Sequence, residues 1–137
     1  MKTQPRYTLG KKERLKSRKL IEQLFEEGKS FSVTGFKIIY TIKPLITDID
    51  NRELQAAFSV SSKIFKRGVD RNRIKRLMKE AYRLQKNDLS VQMKETNLHL
   101  VLFFIYTGKE IPDYTFVFEK MNIALKKLSD RIEKDKA

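Results

Sequence analysis

The 137-residue sequence contains no cysteine and no tryptophan, and only five glycines and three prolines. Without cysteine the chain has no disulfide framework, no thiol nucleophile and no Cys-ligated zinc site. No apolar run approaches the roughly 18 residues that a membrane-spanning helix needs. The basic N-terminus also lacks the apolar stretch of a signal peptide, so we expect a cytoplasmic protein without a membrane partner.

The side chains that build active sites are equally scarce. His99 is the only histidine, and its strand neighbours are apolar, which favours a structural role. Asp48 and Asp50 are spaced like a carboxylate pair, but they lie in a turn-rich segment and are interpreted as solvated turn residues. No glycine-rich phosphate loop, metal-ligand spacing or activated nucleophile is present. We therefore expect neither catalytic residues nor a cofactor held by a protein motif.

Positive charge is what the chain has in excess. Thirty lysines and arginines stand against seventeen acidic residues, which gives a formal net charge of +13. Residues 1–19 hold eight cations and one acid, and residues 63–86 hold ten cations and two acids, so the rest is close to neutral. Two concentrated basic blocks are typical of a surface that binds a polyanion such as RNA.

The first third of the chain predicts a helix followed by a strand. Leu20, Ile21, Leu24 and Phe25 recur at helical spacing between a Ser17 N-cap and a Gly28 C-cap. A strand follows with two alternating faces, one with Phe36, Ile38, Tyr40 and Ile42 and the other with Lys37, Ile39, Thr41 and Lys43. A further short strand around 30–34 is possible, and residues 44–52 are predicted as a loop.

The remainder completes an α+β order. A second strand alternates Leu54, Ala56, Phe58 and Val60 against Gln55, Ala57, Ser59 and Ser61. A basic helix over about 70–86, capped by Asp70, precedes the apolar run 98–106, which suits a central strand buried on both faces. An amphipathic helix spanning about 117–132 ends the order. We predict a single RNA-binding domain over 1–137, with a small mixed sheet, about three helices (α-β-β-α-β-α) and a flexible basic tail over 1–14.

The basic helix is the most informative segment. One side carries the apolar residues Ile74, Leu77, Met78, Ala81 and Leu84. The other side and the first turn carry cations, although basic side chains in a first turn oppose the helix dipole. Glu80 is spaced to pair with Arg76 or Arg83 and to hold an arginine fork. Arginine forks bind phosphate oxygens in a bidentate way, so the pattern favours a helix that contacts an RNA backbone over an ordinary solvated face.

The decad Arg71-Asn72-Arg73-Ile74-Lys75-Arg76-Leu77-Met78-Lys79-Glu80, preceded by the strand Phe58-Ser59-Val60-Ser61, resembles the bacterial ribonuclease P protein component. The resemblance extends over most of the chain. It implies a small subunit that joins a catalytic RNA and assists endonucleolytic removal of the 5′ leader from precursor tRNA. It further implies that the RNA holds Mg²⁺, that the partners are that RNA and the leader rather than another protein, and that the β-α-β crossover is left-handed, against the usual right-handed rule.

The resemblance also implies which residues bind RNA. The helix and the loop before it would contact the catalytic RNA through Lys63, Lys66, Arg67, Arg71, Asn72, Arg73, Lys75, Arg76, Lys79 and Arg83, and the motif includes Glu80. Lys79 stands where the family more often has arginine. The N-terminal basic residues are Lys11, Lys12, Arg14, Lys16 and Arg18.

A separate cleft between the first helix and the sheet would hold the single-stranded leader. Its candidates are Ile21, Phe25, Tyr40, Ser59 and Ser61. Phe25 and Tyr40 are either core aromatics or base-stacking residues, and the serines either bind the leader backbone or are ordinary polar strand positions. Ile21 occupies a place that is often Phe in the family.

Two other functions remain open from the residues alone. A non-enzymatic RNA-binding module, such as a ribosomal or assembly protein, has the same charge and element order. A DNA-binding helix-turn-helix fits the predicted element order less well, because a strand and a basic loop, and not a partner helix, precede residue 70.

Overall fold

The computed structural model describes residues 14–44 and 54–136. Its elements are, in chain order, α1 (Arg18–Glu27), β1 (Lys29–Val33), β2 (Phe36–Pro44), β3 (Leu54–Val60), α2 (Gly68–Gln85), α3 (Asn87–Thr96), β4 (Leu98–Tyr106) and α4 (Tyr114–Lys136). Beyond Pro44, the predicted 44–52 loop lies outside the described residues, together with Asp48, Asp50 and the tail lysines Lys11 and Lys12.

The four strands form one mixed sheet in the order β1-β2-β4-β3. β2 pairs antiparallel with both β1 and β4, whereas β3 and β4 are parallel neighbours. The α+β class, the short strand near 30–34 and the central position of the apolar strand are thereby confirmed. The parallel β3–β4 pair is the arrangement that a crossover requires, and the hand of that crossover stays a prediction.

Helices cover both faces of the sheet. α2, α3 and α4 lie on one face and bury the larger core, which includes Ile38, Leu102 and Phe104 from the strands. α1 lies on the other face over a smaller cluster built from Leu15, Leu24, Ile39 and Val101. Successive β4 side chains alternate between the two clusters, which explains its nearly unbroken apolar sequence.

The ends of α1 form as the sequence predicts. The Ser17 side chain accepts a hydrogen bond from the Leu20 amide at 3.3 Å, and the Gly28 amide donates to the Leu24 carbonyl at 2.8 Å. A Cβ at position 28 would lie 2.2 Å from that carbonyl oxygen, so glycine allows the chain to turn directly from α1 into β1.

Two features differ from the sequence prediction. The structure contains α3, which was not predicted, because only Leu89 and Met93 of its ten residues are buried and the segment shows little periodicity. The prediction that Asp70 caps α2 was wrong, since α2 begins at Gly68 after Arg67. Asp70 instead lies in the first turn, where the helix dipole favours an acid and its carboxylate is 3.9 Å from Arg67 Nε.

None of the helices in the described ranges is long and apolar enough to cross a membrane.

Candidate nucleic-acid interface

The outer side of α2 presents a row of exposed polar and basic side chains. Ile74, Met78, Ala81 and Tyr82 bury the inner side in the larger core. These buried side chains fix the rotation of the helix about its axis. The residues on the opposite side of α2 therefore point to solvent. The exposed residues of the predicted motif are Asn72, Arg73, Arg76 and Lys79, and Lys75 is half-buried.

Arg71 is half-buried, and its side chain hydrogen-bonds to the loop before α2. Its Nη1 donates to the carbonyls of Phe65 and Lys66 at 2.7 and 3.0 Å. Phe65 is itself buried, with its ring 6.0 Å from that of Tyr106. Arg71 therefore fixes the loop before α2, a role that the sequence analysis did not foresee.

The loop between β3 and α2 adds further cations to this surface. Lys63, Lys66 and Arg67 are exposed, and the Arg67 side chain keeps 76% of its accessible area. The anchor at Phe65 holds the loop against the end of the sheet, so these charges lie beside the first turn of α2. We refer to this loop and the exposed residues of α2 as the α2 surface.

Glu80 pairs with Arg83 one turn further along α2. Both guanidinium nitrogens Nε and Nη2 donate to the carboxylate, the first at 3.1 Å. These hydrogen bonds hold the pKa of Glu80 below its usual value and raise the pKa of Arg83. The predicted carboxylate–arginine pairing is thus confirmed for Arg83, whose charge is largely compensated within the protein.

The second candidate surface is a groove between α1 and the sheet. Phe25 is 51% exposed, and its ring meets that of Phe103 on β4 edge to face, with centroids 5.1 Å apart. Ile21, one turn earlier on α1, packs on the smaller cluster together with Phe103 and Ile105. The half-buried and exposed rings of Phe103 and Phe25 form an aromatic wall that water reaches.

The floor of this groove continues past α1 toward the C-terminal ends of β3 and β4. The strand register places Lys37, Ile105 and Ser59 side by side on the α1 face of the sheet. Lys37 is exposed and Ser59 is half-buried. We call Ile21, Phe25, Phe103, Ile105, Ser59 and Lys37 the α1 groove.

Tyr40 does not belong to the α1 groove. It is only 3% exposed and lies on the opposite face of the sheet, where its hydroxyl accepts a hydrogen bond from Arg131 Nη1 of α4 at 3.0 Å. Strand alternation is the reason, because Ile39 next to it already points to α1. The placement of Tyr40 in the cleft is therefore corrected, and the residues that the sequence analysis missed are Phe103, Ile105 and Lys37.

Ser59 and Ser61 also separate. Ser59 lies on the groove floor, whereas Ser61 follows the end of β3 and its hydroxyl accepts from the Lys63 amide at 3.2 Å. Ser61 thus helps to turn the chain into the loop.

The N-terminal cations that are described follow the edge of β3. Arg14 forms an isolated parallel bridge with Ala56, and the Leu15 amide donates to the Ala56 carbonyl at 2.9 Å. The last residue of the predicted tail is therefore paired with the sheet. Arg14, Lys16 and Arg18 are all exposed.

The single histidine, His99, has a contact that fits a structural role. His99 Nε2 lies 2.9 Å from Gln55 Oε1 on the neighbouring strand. Within residues 14–44 and 54–136, no group of three or more His, Asp or Glu side chains is placed to hold a metal ion.

Comparison with known proteins agrees with both the fold and the family resemblance. The ribonuclease P family model matches residues 9–129. A ribonuclease P protein component of Porphyromonas gingivalis strain W83 is 33% identical over 137 residues, covering 96% of this chain and 94% of the relative. One from Chlorobium phaeobacteroides is 33% identical over 124 residues and covers 84% of each chain.

Solved structures show the same fold. The Staphylococcus aureus RNase P protein superimposes with a TM-score of 0.64 at 19% identity, covering 85% of this chain and 94% of that one. The RNase P protein from Thermotoga maritima gives a TM-score of 0.62 at 23% identity, over 84% and 96% of the two chains.

Proposed function

Since the chain belongs to the ribonuclease P protein family, we propose that it binds the catalytic RNA through the α2 surface and the 5′ leader of precursor tRNA through the α1 groove. In this role it assists RNA-catalysed endonucleolytic removal of the leader. The protein supplies positioning and positive charge rather than a catalytic side chain.

The observation that carries the proposal is the separation of two surfaces by the sheet. α2 packs on one face, with its cations turned outward, and the α1 groove lies on the other face. The surfaces approach each other where β3 ends, because Ser59 of the groove is followed within a few residues by the basic loop. A protein with this layout can contact two RNA segments at once, one on each face.

The α2 surface suits a folded RNA backbone. Arg73 and Arg76 are exposed on a helix that is anchored along its whole inner side. A guanidinium fork donates two parallel hydrogen bonds to a phosphate, and a rigid row of forks matches successive phosphates. Association of this kind releases counterions, so it weakens steeply as salt concentration rises.

The α1 groove suits a single strand of varied sequence. A base can stack on the exposed part of Phe25, and every base has a π face, so stacking tolerates any leader sequence. Lys37 and the Ser59 hydroxyl lie on the floor of the same groove, where they can contact the leader backbone. Ile21 supplies apolar contact without stacking.

The chemistry would belong to the RNA. Magnesium ions held by the RNA subunit would activate the attacking water and stabilise the leaving oxygen. The protein lowers the magnesium demand because its cations offset part of the phosphate repulsion within the complex. It also holds the leader so that the scissile bond is correctly placed.

The test is cleavage of precursor tRNA by a bacterial ribonuclease P RNA at low magnesium, with and without this protein. We expect strong stimulation and mature 5′ ends. Arg73→Ala/Arg76→Ala should weaken assembly with the RNA and reduce the salt slope of log K by about 0.7–0.9 for each lost phosphate contact. An unchanged slope would remove α2 from the interface. Tight RNA binding without any stimulation would instead indicate a non-enzymatic RNA-binding module.

A further inference from the structure

A second cationic surface lies on α4, on the side turned away from α2 and α3. Lys120, Lys127, Arg131 and Lys134 recur along one side of the helix, next to strand β1. Lys127 Nζ and the Arg131 guanidinium lie over the ring of Phe31 on β1, at 5.8 and 4.8 Å from its centroid. We call these four cations with Phe31 the α4 edge.

Arg131 is held in a fixed orientation by neutral partners. Its guanidinium carbon lies 4.8 Å from the centroid of the Phe31 ring and 5.8 Å from that of Tyr40, and its Nη1 donates to the Tyr40 hydroxyl at 3.0 Å. Within the described part of the chain, no carboxylate is within ion-pair distance of Arg131 or Lys127. Arg131 is therefore oriented by one hydroxyl and two aromatic rings, none of which carries a negative charge.

Arg131 thus contrasts with Arg83 on α2. Arg83 donates through two nitrogens to Glu80, so its fork is occupied and its charge compensated. Arg131 donates through Nη1 to the neutral Tyr40 hydroxyl, which leaves its other N–H groups for a bidentate contact with an external phosphate. Asp130, the acid next to Arg131 in sequence, is exposed, as is Glu27, which lines a cavity with Tyr40.

We infer that the α4 edge is a second contact surface for the phosphate backbone of the RNA subunit. This inference rests on the proposed function. The RNA subunit is the occupant favoured by geometry, because α4 belongs to the same helical layer as α2, on the face of the sheet opposite the α1 groove. An RNA that contacts α2 already lies on this side, whereas the leader lies on the other. The α2 surface and the α4 edge would then bind two separated backbone segments of one large RNA.

Two adjacent lysines provide a matched test. Lys126 and Lys127 are both exposed and carry the same charge on the same helix. Only Lys127 belongs to the α4 edge, since Lys126 lies on the side of α4 that faces α2 and α3. The experiment measures the affinity of the full-length protein for a bacterial ribonuclease P RNA across a salt series, with circular dichroism to confirm folding.

We expect Lys127→Ala to reduce the salt slope of log K by about 0.7–0.9, while Lys126→Ala leaves it unchanged. Arg131→Lys keeps the charge but loses the fork, so it should weaken affinity at every salt concentration with little change in slope. Equal effects of the two alanine variants, or a loss confined to precursor tRNA binding, would overturn the inference. Arg73→Ala/Arg76→Ala in the same series separates the two proposals, because an effect there with none at Lys127 refutes the α4 edge alone.

Discussion

Phe25 and Tyr40 lie on opposite faces of the sheet, so we predict that only a substitution of Phe25 weakens leader recognition. Phe25 presents half of its ring to the α1 groove, whereas Tyr40 is buried beneath α4. If one leader base stacks on Phe25, Phe25→Ala should remove about 1–3 kcal/mol of leader binding. That corresponds to a loss of about 5- to 150-fold in affinity.

The same substitution should leave the protein folded. A half-exposed phenylalanine contributes roughly 1 kcal/mol of burial, and its edge-to-face contact with Phe103 adds about 0.5–1.5 kcal/mol. An unfolding loss of about 2 kcal/mol leaves most small domains folded. Reduced leader affinity can therefore be separated from unfolding.

Tyr40→Phe is the matched control. It removes the hydroxyl that accepts from Arg131 at 3.0 Å, which should cost about 0.5–1.5 kcal/mol of stability. It alters nothing on the α1 face, so the preference for a leader should stay intact.

The assay compares the affinities of precursor and mature tRNA for the assembled ribonucleoprotein, with RNA subunit and protein saturating. We expect the precursor-to-mature affinity ratio to fall for Phe25→Ala and to stay unchanged for Tyr40→Phe. Equal weakening of both RNAs by Phe25→Ala would show that the groove does not bind the leader. A fall in the ratio for Tyr40→Phe would refute the assignment of the two faces.

Three further predictions concern stability. Gly35 has φ +85° in the β1–β2 turn, so Gly35→Ala should lower the free energy of unfolding by about 1–2 kcal/mol in urea; Gly68→Ala has ordinary space and should not, and equal effects would contradict the strain argument. Arg71→Ala loses both hydrogen bonds to the loop carbonyls and should cost about 1–3 kcal/mol, against no more than about 0.5 for the exposed Arg76→Ala. Burial, reinforced by the charge of a nearby glutamate, raises the pKa of Tyr106 in the folded state. The neutral phenol therefore contributes stability that is complete below the ordinary tyrosine pKa of about 10 and is lost as pH rises through the folded-state pKa. In Tyr106→Phe the free energy of unfolding should therefore fall less steeply as pH rises from about 9 to about 12. An unchanged slope would show that groups other than Tyr106 cause the loss of stability at alkaline pH.

The sequence predicts those features of the fold that depend on neighbouring residues in the chain. Helix caps and strand alternation depend on neighbouring residues, so Ser17, Gly28 and the two faces of β2 were predicted correctly. The alternation even separated Tyr40 from Lys37. What it does not contain is which face α1 covers, and for that reason Tyr40 was assigned to the wrong side.

The failure to predict α3 and the failure to predict the structural role of Arg71 have related causes. α3 is held by two buried side chains and by its position between α2 and β4, neither of which gives a clear periodic pattern. Arg71 belongs to the same motif as Arg73, yet its contacts are loop carbonyls brought near by the turn at Phe65. Composition identifies a basic helix, but only tertiary contacts distinguish an arginine that holds the loop from one that faces solvent.

Strand β4 explains why the α1 groove was the part least accessible to sequence reasoning. Its run of apolar residues indicates burial on both faces, yet Phe103 and Ile105 are only half-buried because α1 crosses the sheet without covering it completely. Because α1 is short, it leaves the α1 face open at the C-terminal ends of β3 and β4, next to the loop that leads into α2. The groove thus arises from the length of one helix relative to the sheet beneath it, and no single residue of its floor would show this from its type alone. Under the proposed function, one apolar strand in a highly basic protein would serve both as core and as recognition surface, and the end of the covering helix would set the boundary between the two.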